Sequence, residues 1–272
     1  MSNERSNQQP VRVAVVGAGG RMGKAIIRCI GEGAVPGISL AAAVDAAGHP
    51  DLGHAVAPGV TLSADVATAA AGADAVIDFS SHLATADHAT RLAASGKAWV
   101  IGTTGLSVGE RAAVEEAARV IPVVMAPNMS LGVNLLFVLL EEAARALRGK
   151  GYDVEIIERH HRLKKDAPSG TALGLGEAVA KGLDWKLDEV AVHGRSGISA
   201  DIRPDKQIGF HAVRGGDFIG DHTVVFATGG ESVEFSHRAT SRDTFAIGSL
   251  RAAAWAAGRT PGLYTMRDVL GL

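Results

Sequence analysis

The strongest constraint on the fold is the alternation of short apolar runs with alanine-rich helical stretches through the first half of the chain. Val11–Val16, Ile38–Val44, Ala98–Ile101, Pro122–Met125 and residues 74–79 read as buried strands. Helical patterns at residues 20–30, 83–94 and 110–119 lie between them. Strands separated by helices of this length pair in parallel through right-handed crossovers. The prediction is an α/β protein whose N-terminal domain is a Rossmann-like, doubly wound parallel sheet.

The pattern changes near residue 130. A long amphipathic helix over 131–148 leads to a strand over 153–158, a polar loop and a helix over 171–181. Strand-like runs follow at 208–213, 222–227 and 232–236, separated by Gly215-Gly216 and Gly229-Gly230. These turn signals suggest antiparallel pairing, and the second domain is expected to be α+β with an open mixed or antiparallel sheet. The last helix, over 242–257, is apolar enough to pack on something substantial. It is expected to return to the first domain, which then covers 1–130 and 241–272 and leaves 131–240 to the second.

Several classes are disfavoured. The 272-residue chain has a formal charge of −2 and 4% aromatic residues, which speaks against nucleic acid or a membrane surface as partner. Its single cysteine, Cys29, excludes an intrachain disulfide and a zinc-finger framework, and sits in an apolar run that reads as core. Residues 1–10 are polar, without the apolar stretch of a signal peptide, and the apolar run 131–140 is too short to span a bilayer. A soluble, cytoplasmic protein is expected.

The first strand runs into Gly17-Ala18-Gly19-Gly20-Arg21-Met22-Gly23. Read from Gly17, Gly20 and Gly23, the spacing is G-x-x-G-x-x-G rather than the strict dinucleotide pattern. Small residues there let the backbone approach a pyrophosphate, and a helix start offers N–H groups and a positive dipole end. A tight turn with close helix packing is the competing reading. No lysine follows in Walker spacing, which disfavours a nucleotide triphosphatase. Asp45 follows the second strand, about twenty residues beyond Gly23, where a carboxylate can accept hydrogen bonds from an adenosine ribose; a capping role is the alternative. Ala46 follows it, so no adjacent arginine is available for a 2′-phosphate. This points to NADH in preference to NADPH, although Arg21 offers charge near the cofactor and would make the preference partial. Gly102-Thr103-Thr104-Gly105 and Ala126-Pro127-Asn128-Met129-Ser130 follow later strands, where open α/β sheets bind ligands.

The most informative segment is Glu158-Arg159-His160-His161-Arg162-Leu163-Lys164-Lys165-Asp166-Ala167-Pro168-Ser169-Gly170-Thr171-Ala172. It gathers histidines and cations beside a helix start for which Ser169 is a fitting N-cap. Cations with exposed N–H groups suit anionic oxygens such as those of a dicarboxylate. A histidine there can donate a proton near neutral pH. The other readings are a solvated basic loop and a metal site. Adjacent side chains on an extended chain point to opposite sides, which argues against His160 and His161 sharing an ion, and no metal is expected.

Taken with Arg214-Gly215-Gly216-Asp217 and Gly220-Asp221-His222-Thr223, these motifs resemble the 4-hydroxy-tetrahydrodipicolinate reductase (dihydrodipicolinate reductase) family over nearly the whole chain. The resemblance implies an NAD(P)H-dependent enzyme of lysine and diaminopimelate biosynthesis that reduces a cyclic dicarboxylate with loss of water. It implies His160 as proton donor, Lys164 as the assisting lysine, and His161, Gly170 and Thr171 as substrate-binding residues. Gly17, Ala18, Gly19, Gly20, Arg21, Met22, Asp45, Gly102, Thr103, Thr104, Ala126, Pro127, Asn128 and Met129 match cofactor contacts. It also implies a homotetramer built through the second domain. Leu163 departs from the family, some members of which carry a polar residue there, and Lys165 adds a second cation. Two rivals keep the glycine turn without needing the histidine-lysine loop: another two-domain dehydrogenase, and a non-catalytic dinucleotide sensor.

Overall fold

The computed structural model describes residues 9–199 and 201–272, so the polar N-terminal segment lies outside the described residues up to residue 8. In chain order the first elements are β1 (Val11–Val16), α1 (Arg21–Gly31), β2 (Ile38–Val44), β3 (Ala55–Ala57), β4 (Val60–Ser63) and α2 (Val66–Ala71). Next come β5 (Ala75–Asp78), α3 (Thr85–Ser95), β6 (Ala98–Ile101), α4 (Val108–Ala117) and β7 (Pro122–Met125). After α5 (Leu131–Leu147) follow β8 (Asp153–His160), α6 (Gly170–Leu183), α7 (Leu187–Val190), β9 (Ala191–His193) and β10 (Ile208–Arg214). The chain ends with β11 (Gly220–Thr228), β12 (Glu231–Ala239), α8 (Asp243–Ala256), β13 (Gly262–Tyr264) and α9 (Met266–Leu270). Two compact units result, one of the residues up to Leu131 with Asp243–Leu272, the other Gly132–Arg242.

The first unit is built on an eight-stranded sheet of order β13-β7-β6-β5-β1-β2-β4-β3. Its pairings are parallel except for β3 against β4. Alternate residues of β1 serve opposite faces, as strand geometry requires. Val13 and Val15 pack with Ile26 and Cys29 of α1 and Leu250 and Ala253 of α8. Ala14 and Val16 pack with α2, α3 and α4. Small residues let the layers close. A Cβ on Gly248 of α8 would lie 1.8 Å from the Met129 carbonyl oxygen, and one on Gly23 of α1 would lie 2.2 Å from that of Gly17.

The five strands read in this half occur where expected, the third trimmed to Ala75–Asp78. The sequence reading passed over β3, β4 and β13, which span three or four residues and carry no resolvable period. Helix α4 starts two residues early because Ser107 and Glu110 form a reciprocal capping box, a signal plain in the sequence.

The second unit carries a five-stranded sheet of order β12-β11-β8-β10-β9. It is mixed: β8, β10 and β9 run parallel, while β11 is antiparallel to both β8 and β12. The antiparallel alternative is therefore corrected. Gly229-Gly230 does close a hairpin, joining Thr228 to its partner Glu231. Gly215-Gly216 does not, because β8 lies between β10 and β11 and the chain reaches β10 after passing through α6. One sheet face is dry, with Val154, Ile156, Phe210, Val224 and Phe226 packed on Leu136 and Leu140 of α5 and Leu175 and Val179 of α6.

The opposite face carries charge. Glu155 accepts hydrogen bonds from Arg195 (2.8 and 2.9 Å), Arg203 (3.0 Å) and His211 (2.7 Å). Burial alone would raise its pKa, but these donors outweigh it and bring the carboxyl down to about 2. A carboxyl depressed from its ordinary 4.5 contributes stability that is present above that value and is lost as pH falls toward 2. Thermal melting is therefore expected to drop as pH is lowered through this window, and Glu155→Gln to flatten part of the drop. A variant whose melting follows the wild-type pH dependence would refute the assignment.

Candidate functional site

Polar and glycine-rich constellations gather at one place in each unit. In the first unit the turn after β1 is shaped by close backbone approach. Gly17 has φ +77°, and a Cβ there would lie 2.5 Å from the Phe79 carbonyl oxygen. A Cβ on Gly19 would strike His49 at 2.4 Å. Gly20 caps α1 without a side-chain hydrogen bond, so the first-turn amides face outward at the positive end of the helix. This cradle, which side chains would fill, fits the pyrophosphate of a dinucleotide. Asp45 lies beside it: its carboxylate accepts from the amides of Gly19 and Ala46, both at 2.8 Å.

Gly17, Gly20 and Asp45 line a groove of about 610 Å³ together with residues the sequence reading missed, among them Phe79, Ser80, His88 and Arg91. Beneath this groove Asp78, 1% exposed, accepts from His88 (2.8 Å) and from the Ser80 hydroxyl (2.6 Å). Its own carbonyl accepts from the Gly102 amide at 2.9 Å. The signal was available, because Asp78 ends a parallel strand next to β1, where such sheets place their ligands.

The other expected cofactor residues divide. Thr103, Thr104, Ala126 and Pro127 line a second groove of about 320 Å³ with Arg111 and Tyr264. Asn128 turns back on its own loop, its side-chain oxygen accepting from the Ser130 amide at 2.8 Å. Arg21 is exposed. Met22 packs against the core, while Ala18 and Met129 are each 1% exposed and belong to it. Only main-chain atoms of those two can meet a ligand, and the Ala18 amide is already bonded to the Val44 carbonyl.

In the second unit the polar network is centred on Glu158, which points with Val154 and Ile156 into the covered face of β8 and is 1% exposed. One oxygen accepts from His160 Nδ1 at 2.5 Å and Arg214 Nη1 at 2.7 Å. The other accepts from the Ser169 amide at 3.0 Å and Arg214 Nη2 at 2.6 Å. Burial works against ionisation, yet the bonds from His160 and Arg214 hold this carboxyl at about 2. His222 lies edge-on to His160, ring centroids 5.2 Å apart, with its Nε2 3.0 Å from the Ser169 hydroxyl. Burial first, and the charge of His160 second, lower the His222 pKa to about 3, so it stays neutral. Ser169 caps α6 by accepting from the Ala172 amide at 3.1 Å, which puts the Gly170 and Thr171 amides in the first turn.

His160, at the end of β8, thus lies next to the start of α6. His161 follows with its amide bonded to the Phe218 carbonyl at 2.8 Å. Lys164 is half-buried and paired with Asp166 at 2.8 Å. Lys165 is exposed and has no partner among the described residues, and Leu163 is exposed. Among those residues no group of three His, Cys, Asp or Glu side chains is gathered to hold a metal ion, and no helix is long and apolar enough to cross a membrane.

Comparison with known proteins bears on both units. Residues 11–129 match the family "Dihydrodipicolinate reductase, N-terminus" and residues 132–270 match "Dihydrodipicolinate reductase, C-terminus". The chain is 51% identical over 268 residues to the 4-hydroxy-tetrahydrodipicolinate reductase of Anaeromyxobacter dehalogenans, covering 96% of this chain and 98% of that one. It is 49% identical to the enzyme of the same name from Aromatoleum aromaticum, with full coverage of both. A similar fold occurs in the dipicolinate-bound dihydrodipicolinate reductase of Paenisporosarcina sp. TG-14, with a TM-score of 0.76 at 22% identity, covering 96% of this chain and 99% of that one. By its sequence over nearly its full length, the chain belongs to the 4-hydroxy-tetrahydrodipicolinate reductase family of NAD(P)H-dependent oxidoreductases.

Proposed function

We propose that the chain reduces 4-hydroxy-tetrahydrodipicolinate to tetrahydrodipicolinate in lysine and diaminopimelate biosynthesis, consuming one NAD(P)H and one proton and releasing water. The first unit holds the dinucleotide, with Gly17 to Met22 around the pyrophosphate and Asp45 toward the adenosine ribose. The loops Gly102 to Thr104 and Ala126 to Met129 receive the rest of the cofactor. When bound, the reduced nicotinamide supplies the hydride. The second unit binds the substrate and supplies the proton. The observation that carries this reading is the placement of His160 beside the start of α6, joined to it through Glu158 and Ser169.

In this assignment the first-turn amides of Gly170 and Thr171 grip one substrate carboxylate, helped by the helix dipole. His161 and the ammonium of Lys164 face the anionic substrate. As the imidazolium, His160 delivers the proton of Nε2, the ring atom that Glu158 does not hold, and is left as the neutral Nδ1–H ring. A lone dinucleotide sensor would not need this arrangement.

The groove beside Asp45 favours NADH. Asp45, Asp65 and Asp87 all line it, and Arg91 already donates to Asp87 at 2.7 Å. A 2′-phosphate would meet carboxylates rather than an unengaged cation. We read the protein as a cytoplasmic homotetramer, as the family resemblance implies. Light scattering of the purified protein should count four chains per particle, and a monomer would overturn that reading.

The direct test is nicotinamide oxidation, with substrate generated in place from pyruvate and aspartate semialdehyde by a synthase. Oxidation should require substrate, be lost in His160→Ala, and proceed with higher kcat/KM for NADH than for NADPH. Absence of oxidation despite cofactor binding would reopen the alternative dehydrogenase reading, and the reverse cofactor order would refute the NADH preference. Lys164→Ala should lower kcat on the order of 100-fold, whereas Lys165→Ala should stay within a few-fold of wild type. Equal losses would show that the two lysines act together.

A further inference from the structure

We infer that Glu158 and Arg214 act as a positioning pair for the proton donor, fixing the His160 ring with a proton on Nδ1 and leaving Nε2 as the atom that exchanges a proton with substrate. This rests on the reading of His160 as proton donor. Neither residue needs to touch substrate.

The geometry supplies the argument. A neutral imidazole carries one ring proton, and the partner of one nitrogen decides which nitrogen keeps it. Glu158 Oε2 is 2.5 Å from His160 Nδ1, so the ionised carboxylate selects the Nδ1–H form. Among the described residues no donor or acceptor bonds to Nε2, and the space there is kept by Gly220, whose missing Cβ would lie 3.1 Å from that nitrogen. A carboxylate this buried stays ionised only when its lone pairs are filled. Arg214 fills two of them with a bidentate fork, at 2.7 and 2.6 Å.

Arg214 does more than neutralise. It sits opposite His160 in the parallel β8–β10 register, so its guanidinium reaches Glu158 from the neighbouring strand. The same Nη2 donates to the Asp166 carbonyl at 2.5 Å. The other Glu158 oxygen accepts the Ser169 amide. One ion pair therefore ties the donor histidine, the loop carrying Lys164 and the start of α6 into a single arrangement. This also gives a physical role to the arginine of the Arg214-Gly215-Gly216-Asp217 motif.

The test uses full-length protein labelled with ¹⁵N-histidine, with the His160 signals assigned by their loss in His160→Asn. Wild type should show the Nδ1–H tautomer when His160 is neutral. In Glu158→Gln the amide oxygen is retained by the Ser169 amide and Arg214 Nη2, so the amide NH₂ faces Nδ1 as a donor. The tautomer should invert to Nε2–H, and kcat should fall roughly 10- to 100-fold while KM for NADH stays within about twofold. An Nε2–H tautomer in wild type overturns the inference without any variant having to fold. A folded Glu158→Gln protein with wild-type kcat also overturns it, and if His160→Asn is inactive the proton-donor reading survives. Full turnover by His160→Asn overturns that reading and the inference with it.

Discussion

A carboxylate at 1% exposure cannot stay ionised unless nearly every lone pair is filled, and Glu158 is the point on which the second unit's buried polar network depends. Its four hydrogen bonds come from a ring nitrogen at the end of β8, an amide at the start of α6 and both arms of an arginine on β10. Removing any one leaves a buried polar group short of a partner, a larger loss than the net worth of a single bond. Rigidity at this place suits the proton donor proposed for it, which must present one atom in one direction.

The first unit obeys a different constraint. A parallel sheet covered on both faces has no free surface along its strands, so ligand chemistry is confined to the loops beyond their carboxyl ends. The glycine turn after β1, Asp45 after β2, the Asp78–Phe79–Ser80 corner after β5 and the threonines after β6 all lie there. The turn is built by exclusion. Side chains at Gly17 or Gly23 would collide with backbone, and one at Gly19 with His49. What remains is a concave surface of amides at the positive end of α1.

Legibility in the sequence followed signal length. Strands β1 and β2, of six and seven residues, are legible because each is a largely apolar run bounded by turn residues. The three-residue strands β3, β9 and β13 were missed, since three residues carry no period. Gly215-Gly216 looked like a hairpin signal, but a turn dipeptide does not say which strand lies next to which. That depends on the crossover through α6, a nonlocal event. The resemblance places Met129 among the cofactor contacts, and only the structure shows that its side chain packs inward, where the loop lies against Gly248 of α8.

By itself the sequence determined the chemical inventory and its order. The glycine turn, the acidic residue after the second strand and the histidine-lysine loop before a capped helix are local patterns whose spacing carries their meaning. Only the tertiary structure decided which side chains act on one another. Glu158 is two residues from His160 but reaches Arg214 across 56 positions, and His222 meets Ser169 across 53. Asp78 and His88 form a buried pair that no spacing rule marked. The reason is physical: local patterns are set by the short-range geometry of the backbone, whereas buried polar partners are chosen by sheet register and helix packing, which bring distant residues within hydrogen-bond reach.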